Sequence, residues 1–144
     1  MDVQNIMTTD LMTIKPNQIV RDVFELFNQV SYHHVPVVND NKLVGIISDR
    51  DVSRNLSRFF VTTDEEEGEL MDRLVSDIMT TELVTIDKST SIDCASILLL
   101  ENNISCLLIV DDELLLEGLL TWKDILEYYV YAGDNVGILA TNDG

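Results

Sequence analysis

Two stretches of this chain place a hydroxyl, a cation and a carboxylate at the same fixed spacing. They are Gly45-Ile46-Ile47-Ser48-Asp49-Arg50-Asp51 and Gly118-Leu119-Leu120-Thr121-Trp122-Lys123-Asp124. Each reads as the end of an apolar strand turning directly into a helix. Ser48 and Thr121 are good N-caps, and an aspartate three residues on can reach back to the cap. That is the structural reading. The chemical reading starts from the free N–H groups and partial positive charge of a helix N-terminus, which attract phosphate. A hydroxyl and a cation strengthen that attraction, and a carboxylate suits a vicinal diol. Ribose carrying phosphate offers both groups. A cap need not be copied together with its flanking glycine and cation, so the repetition favours a ligand.

The elements that position these residues follow from an internal repeat. Val3-Gln4-Asn5-Ile6-Met7-Thr8-Thr9 lies over Val75-Ser76-Asp77-Ile78-Met79-Thr80-Thr81. The register holds through Val23 over Ala95 and Val37-Val38 over Ile109-Val110, and reaches Gly45 over Gly118 after one added residue in the second copy. Each copy predicts a short helical turn, a short strand (Met12–Ile14 or Val84–Ile86), a helix, two strands around a turn, and a last helix after Ser48 or Thr121. The first long helix is expected to open at Pro16-Asn17. Its counterpart, about Ser91 to Asn102, is apolar nearly all round and is expected to be buried on more than one side. Residues 1–60 and 75–131 are read as the two units, 61–74 as an acidic linker and 132–144 as a flexible tail. The run Asp64-Glu65-Glu66-Glu67-Gly68-Glu69 reads as a solvated loop.

With 144 residues and 46% hydrophobic content, the chain can bury a real core. A net charge of −17 argues against nucleic-acid and anionic-membrane partners. No apolar run is long enough for a membrane span and no signal-peptide pattern opens the chain, so a cytoplasmic protein is expected. Cys94 and Cys106 lack metal-ligand spacing and read as buried thiols. There is no Walker loop, no supported Ser/His/Asp set and no metal-ligand cluster, so no enzymatic activity and no metal are expected.

The Ile-Met-Thr-Thr heads, His34-Val35-Pro36-Val37-Val38 and the two Gly-x-x-Ser/Thr-x-x-Asp segments together resemble a tandem pair of CBS domains, a Bateman module, over about residues 3–131. The resemblance implies an α/β (α+β) fold of two β-α-β-β-α units packed with pseudo-two-fold symmetry. It also implies two clefts that bind adenosine nucleotides (AMP, ADP, ATP or S-adenosylmethionine) for a regulatory purpose. Carried over residue by residue, Asp124 and Thr121 would face Thr9, Tyr32, His33 and His34. Asp51 and Ser48 would face Thr81, Ile104, Ser105 and Cys106. On this resemblance the aspartates would take the ribose hydroxyls, Ile46 and Leu119 would help wall the adenine, and Arg50 and Lys123 are candidate phosphate contacts.

His33 and His34 are adjacent, so on a strand they point to opposite faces and cannot chelate one metal together. The second copy departs from the pattern: Lys88 replaces Pro16, Leu108 replaces Pro36, and Ser105-Cys106 replace the histidines. The cleft built with Asp51 therefore has fewer cations, and the Asp124 cleft is expected to bind more tightly. A homodimer of two pairs in a flat disc is expected, acting as a free-standing sensor on an unknown regulated protein or as part of an assembly. Two alternatives are a ligand-free oligomerisation module and a cation-responsive module using the acidic residues.

Overall fold

The computed structural model describes residues 1–29, 34–58 and 63–133. The chain forms two compact units, each with its own sheet and core. Helices and strands are mixed in both, which is the expected α/β class.

The first unit holds Leu11–Leu83 and Glu113–Leu116. Helix α1 (Val20–Gln29) starts four residues later than Pro16 suggests. Ile19 pairs with Leu74, and the Val20 N–H donates to the Arg73 carbonyl at 2.9 Å. These bonds hold the preceding residues out of the helix, and the Asp22 carboxylate accepts from the Ile19 N–H at 3.1 Å. Strands β1 (His34–Asn39) and β2 (Lys42–Ser48) form an antiparallel hairpin. Its two-residue turn puts Asp40 (φ 51°) and Asn41 (φ 67°) in the left-handed region, which Asp and Asn tolerate and which matches the strand twist. The expected strand at Met12–Ile14 shrinks to one parallel bridge, Ile14 to Val37. Helix α2 (Asp49–Arg58) follows β2 without a break.

The acidic run is a helix, α3 (Asp64–Met71), where a solvated loop was expected. Thr63 Oγ1 caps it by accepting from the Glu66 N–H at 3.1 Å. Four acidic residues in the first turn complement the helix dipole, and Leu70 and Met71 anchor its far end in the interior. Helix α4 (Val75–Ile78) completes the unit. The core gathers Ile14, Val20, Val23, Val35, Val37, Ile47, Val52, Met71, Val75 and Ile78.

The second unit holds Met1–Asp10, Val84–Asp112 and the described residues from Glu117 on. Strand β3 (Thr85–Ile86) pairs in parallel with β4 (Cys106–Val110) across helix α5 (Ile92–Asn102). Ser91 caps α5, and Asn103 ends it in the left-handed conformation (φ 53°). Strand β5 (Leu116–Thr121) lies beside β4 and runs into α6 (Trp122–Gly133). Val3, Ile86, Ile92, Ala95, Leu99, Leu107, Ile109, Leu120 and Ile125 form the core.

The heads of the two repeats are exchanged. Met1–Asp10 opens the first repeat yet belongs to the second unit, where the Val3 N–H donates to the Thr90 carbonyl at 2.9 Å. The head of the second repeat belongs to the first unit, where the Val75 N–H donates to the Gln18 carbonyl at 2.8 Å.

Helix α5 is not buried on every side. Ile97 is 51% exposed and Leu100 63%, and α6 also exposes Trp122, Leu126, Tyr129, Val130 and Tyr131. Among the described residues no helix is long and apolar enough to cross a membrane.

Candidate functional site

Each unit builds one site where its last strand becomes a helix. In the first unit the Ser48 N–H and hydroxyl both donate to Asp51 Oδ2, at 2.8 and 3.1 Å, and the Asp51 N–H donates back to Ser48 Oγ at 3.2 Å. This reciprocal cap satisfies donors that a helix start would otherwise leave open. The second unit repeats it. The Thr121 N–H and hydroxyl donate to Asp124 Oδ2 at 2.9 and 3.1 Å, and the Asp124 N–H lies 3.4 Å from Thr121 Oγ1.

The surroundings differ. Ser48 (8% exposed) and Asp51 (7%) are buried, whereas Thr121 and Asp124 are half-buried. A buried carboxylate needs compensation. Asp51 obtains it from the Thr80 hydroxyl, which donates to Oδ1 at 3.2 Å, and from Arg54, 3.9 Å away. Asp124 Oδ1 accepts no hydrogen bond from the described residues. The bond to Asp51 comes from Thr80, next to the expected Thr81, which is exposed. Successive residues of an extended segment face opposite ways, so only the pairing of Thr80 with Ile46 settles which hydroxyl points inward.

The two glycines make this approach possible. A Cβ on Gly45 would lie 2.6 Å from Met79 Sδ and 3.1 Å from the Thr80 carbonyl oxygen. On Gly118 it would lie 2.6 Å from Met7 Sδ and 3.2 Å from the Thr8 carbonyl oxygen. Neither glycine has a positive φ, so space rather than backbone freedom requires them. Through these gaps the heads pair with the strands. Ile46 and Thr80 exchange backbone bonds of 3.0 and 2.8 Å, and Leu119 and Thr8 exchange two of 2.9 Å. Methionine tips can shift but the carbonyls belong to paired backbone, so Gly45→Ala and Gly118→Ala are each expected to destabilise by about 1–3 kcal/mol, measured by urea unfolding.

The remaining candidates divide between the units. Ile46 is buried next to Thr80, and Leu119 is buried next to Thr8, with Thr9 exposed beside them. His34 stands opposite Ser48 in the hairpin register, in the first unit. Tyr32 and His33 lie outside the described residues. The Ile104 and Ser105 carbonyls accept from Trp122 Nε1 (3.0 Å) and the Trp122 N–H (3.2 Å), which ties them to the start of α6. Burial pushes the Cys106 thiol up to about 11, so it stays protonated at neutral pH. Cys94 is exposed rather than buried, because it sits on the outer side of α5. Arg50 and Lys123 are both exposed in first turns, where a cation opposes the helix dipole, and Lys123 reaches Glu127 only at 3.9 Å.

Two α/β units with matching caps define a tandem-repeat module. Residues 3–58 and 75–131 each match the CBS domain, and the chain belongs to the CBS domain family. It is 33% identical to CBS domain-containing protein YhcV of Bacillus subtilis over 76% of this chain and 72% of that protein. It is 34% identical to a homoserine O-acetyltransferase of Methanococcus vannielii over 85% of this chain but 24% of that enzyme. A crystal structure of CBSX2 in complex with AMP matches with a TM-score of 0.75 and 28% identity, covering 91% of this chain and 97% of that one. The chain spans less than half the length of several curated relatives that it matches.

Proposed function

We propose that this chain is a regulatory module that binds adenosine nucleotides at its two hydroxyl–aspartate caps and passes the bound state to a partner. The observation that carries this reading is the second cap. Asp124 uses one oxygen to close the helix start, and its other oxygen takes no bond from the described residues, which suits the hydroxyls of a ribose. Thr121 and Lys123 stand at the same helix start for phosphate, with Leu119 and Thr9 beside them. In the first unit Asp51, Ser48, Arg50 and Ile46 have the corresponding roles. AMP in CBSX2 supports the ligand class. A thermal-shift screen with AMP, ADP, ATP, S-adenosylmethionine and divalent ions tests it, since a ligand of the folded state raises the melting temperature. A rise with ions alone would favour the cation-responsive alternative instead. No catalysis is assigned to the chain, and two thiols suit the reducing cytoplasm.

The proposed partner face is the exposed side of α5 and α6 in the second unit. Their exposed Ile97, Leu100, Leu126, Val130 and Tyr131 make an apolar surface that a second copy of the chain would cover. Sedimentation at micromolar concentration is expected to give a dimer, and Leu126→Glu to give a monomer. A monomeric wild-type protein would refute the arrangement.

A further inference from the structure

We infer that Thr80 sets the affinity of the Asp51 site by occupying, with its own hydroxyl, the carboxylate oxygen that a ribose would use. This rests on the nucleotide reading above and goes beyond it by making the two sites unequal from inside each unit.

The backbone frames of the two sites are alike. Each glycine admits a methionine, each head pairs with the strand by two backbone bonds, and each aspartate Oδ2 accepts the same two bonds from its cap residue. The difference lies at Oδ1. Thr80 Oγ1 donates to Asp51 Oδ1 at 3.2 Å, whereas no hydrogen bond joins the equivalent Thr8 to Asp124. A diol binds a carboxylate by donating O–H to it, and Thr80 already makes that bond. Burial adds to the effect, because a nearly dry carboxylate holds its internal donor more strongly than a wet one. A ribose at Asp51 must therefore displace Thr80 and leave its hydroxyl to find another acceptor. At Asp124 no such exchange is needed. One hydrogen bond of ordinary net strength corresponds to about a fivefold difference in affinity.

The test is a two-phase calorimetric titration with AMP on wild type, Thr80→Val, Thr80→Ser and Thr8→Val, with melting of each ligand-free protein alongside. Thr80→Val removes the hydroxyl at nearly constant shape and is expected to tighten the weaker phase about fivefold. Thr80→Ser keeps the hydroxyl and should leave that phase as in wild type. Thr8→Val should tighten neither phase. Without ligand, Thr80→Val should lower the melting temperature by about 3 °C through loss of the bond, and Thr8→Val should not. A weaker phase that loses affinity or does not change in Thr80→Val overturns the inference. So does equal melting of Thr80→Val and Thr8→Val. Wild-type protein that binds no AMP in either phase defeats the nucleotide reading and the competition built on it, while the melting comparison still decides whether Thr80 holds Asp51.

Discussion

Asp124→Ala is expected to weaken AMP binding in the tighter phase by about 10- to 100-fold, the range for losing hydrogen bonds to a charged acceptor. The carboxylate has two separable tasks. Oδ2 closes the cap on Thr121, and Oδ1 is left for the ribose. Alanine removes both, so binding and stability should fall together, the latter by about 1 kcal/mol for the lost cap. Asparagine keeps the size and one acceptor but not the charge, and its binding should lie between wild type and alanine. Urea unfolding beside calorimetry separates the two losses. Asp51→Ala should change only the weaker phase. Should Asp51→Ala abolish the tight phase and Asp124→Ala spare it, the assignment of sites is reversed.

Leu107→Ala should cost about 3–5 kcal/mol of folding stability, a large share of what a domain of this size holds. Leu107 is fully buried on β4, among Ile86, Leu99, Ile109 and Leu120. Its removal leaves a cavity among side chains fixed by sheet pairing on one side and by α5 on the other, which cannot collapse into the space. Leu100→Ala, on the exposed side of α5, should change the stability of the monomer by no more than about 0.5 kcal/mol, any further loss appearing only as weaker dimerisation. The pair compares the same substitution inside and outside one core, read by urea midpoint. Equal costs would mean that Leu107 is not where the interior lies.

The repeat in the sequence made the α/β class, the hairpins and both caps legible, because each rests on local chemistry: a hydroxyl three residues before an aspartate, an Asp-Asn turn, alternating aliphatics. The parts that escaped depend on pairing between distant segments. Pro16 suits a helix start, but Pro16 and Asn17 form a turn instead, and the Ile19–Leu74 and Val20–Arg73 pairings hold Ile19 out of the helix. Which of Thr80 and Thr81 bonds Asp51 turns on a single residue of register. The acidic stretch has enough cap and dipole complement to be a helix, but its helicity is completed by burial of Leu70 and Met71, which charge alone does not announce. Tyr32 and His33, expected near Asp124, lie outside the described residues.

The exchanged heads bear on how such a chain can be inherited. A gene fragment ending in the acidic helix would encode α1, the first hairpin and α2 without Val75, Ile78 or Thr80, and so without part of their core and the donor to Asp51. It would still encode Val3, Ile6 and Met7, whose packing partners lie in the other fragment. Each fragment would emerge from the ribosome missing one apolar strip and carrying another with nowhere to fit. Recombination that moves one repeat alone is thus selected against by folding itself, whereas the pair can be carried between larger proteins as a single cassette.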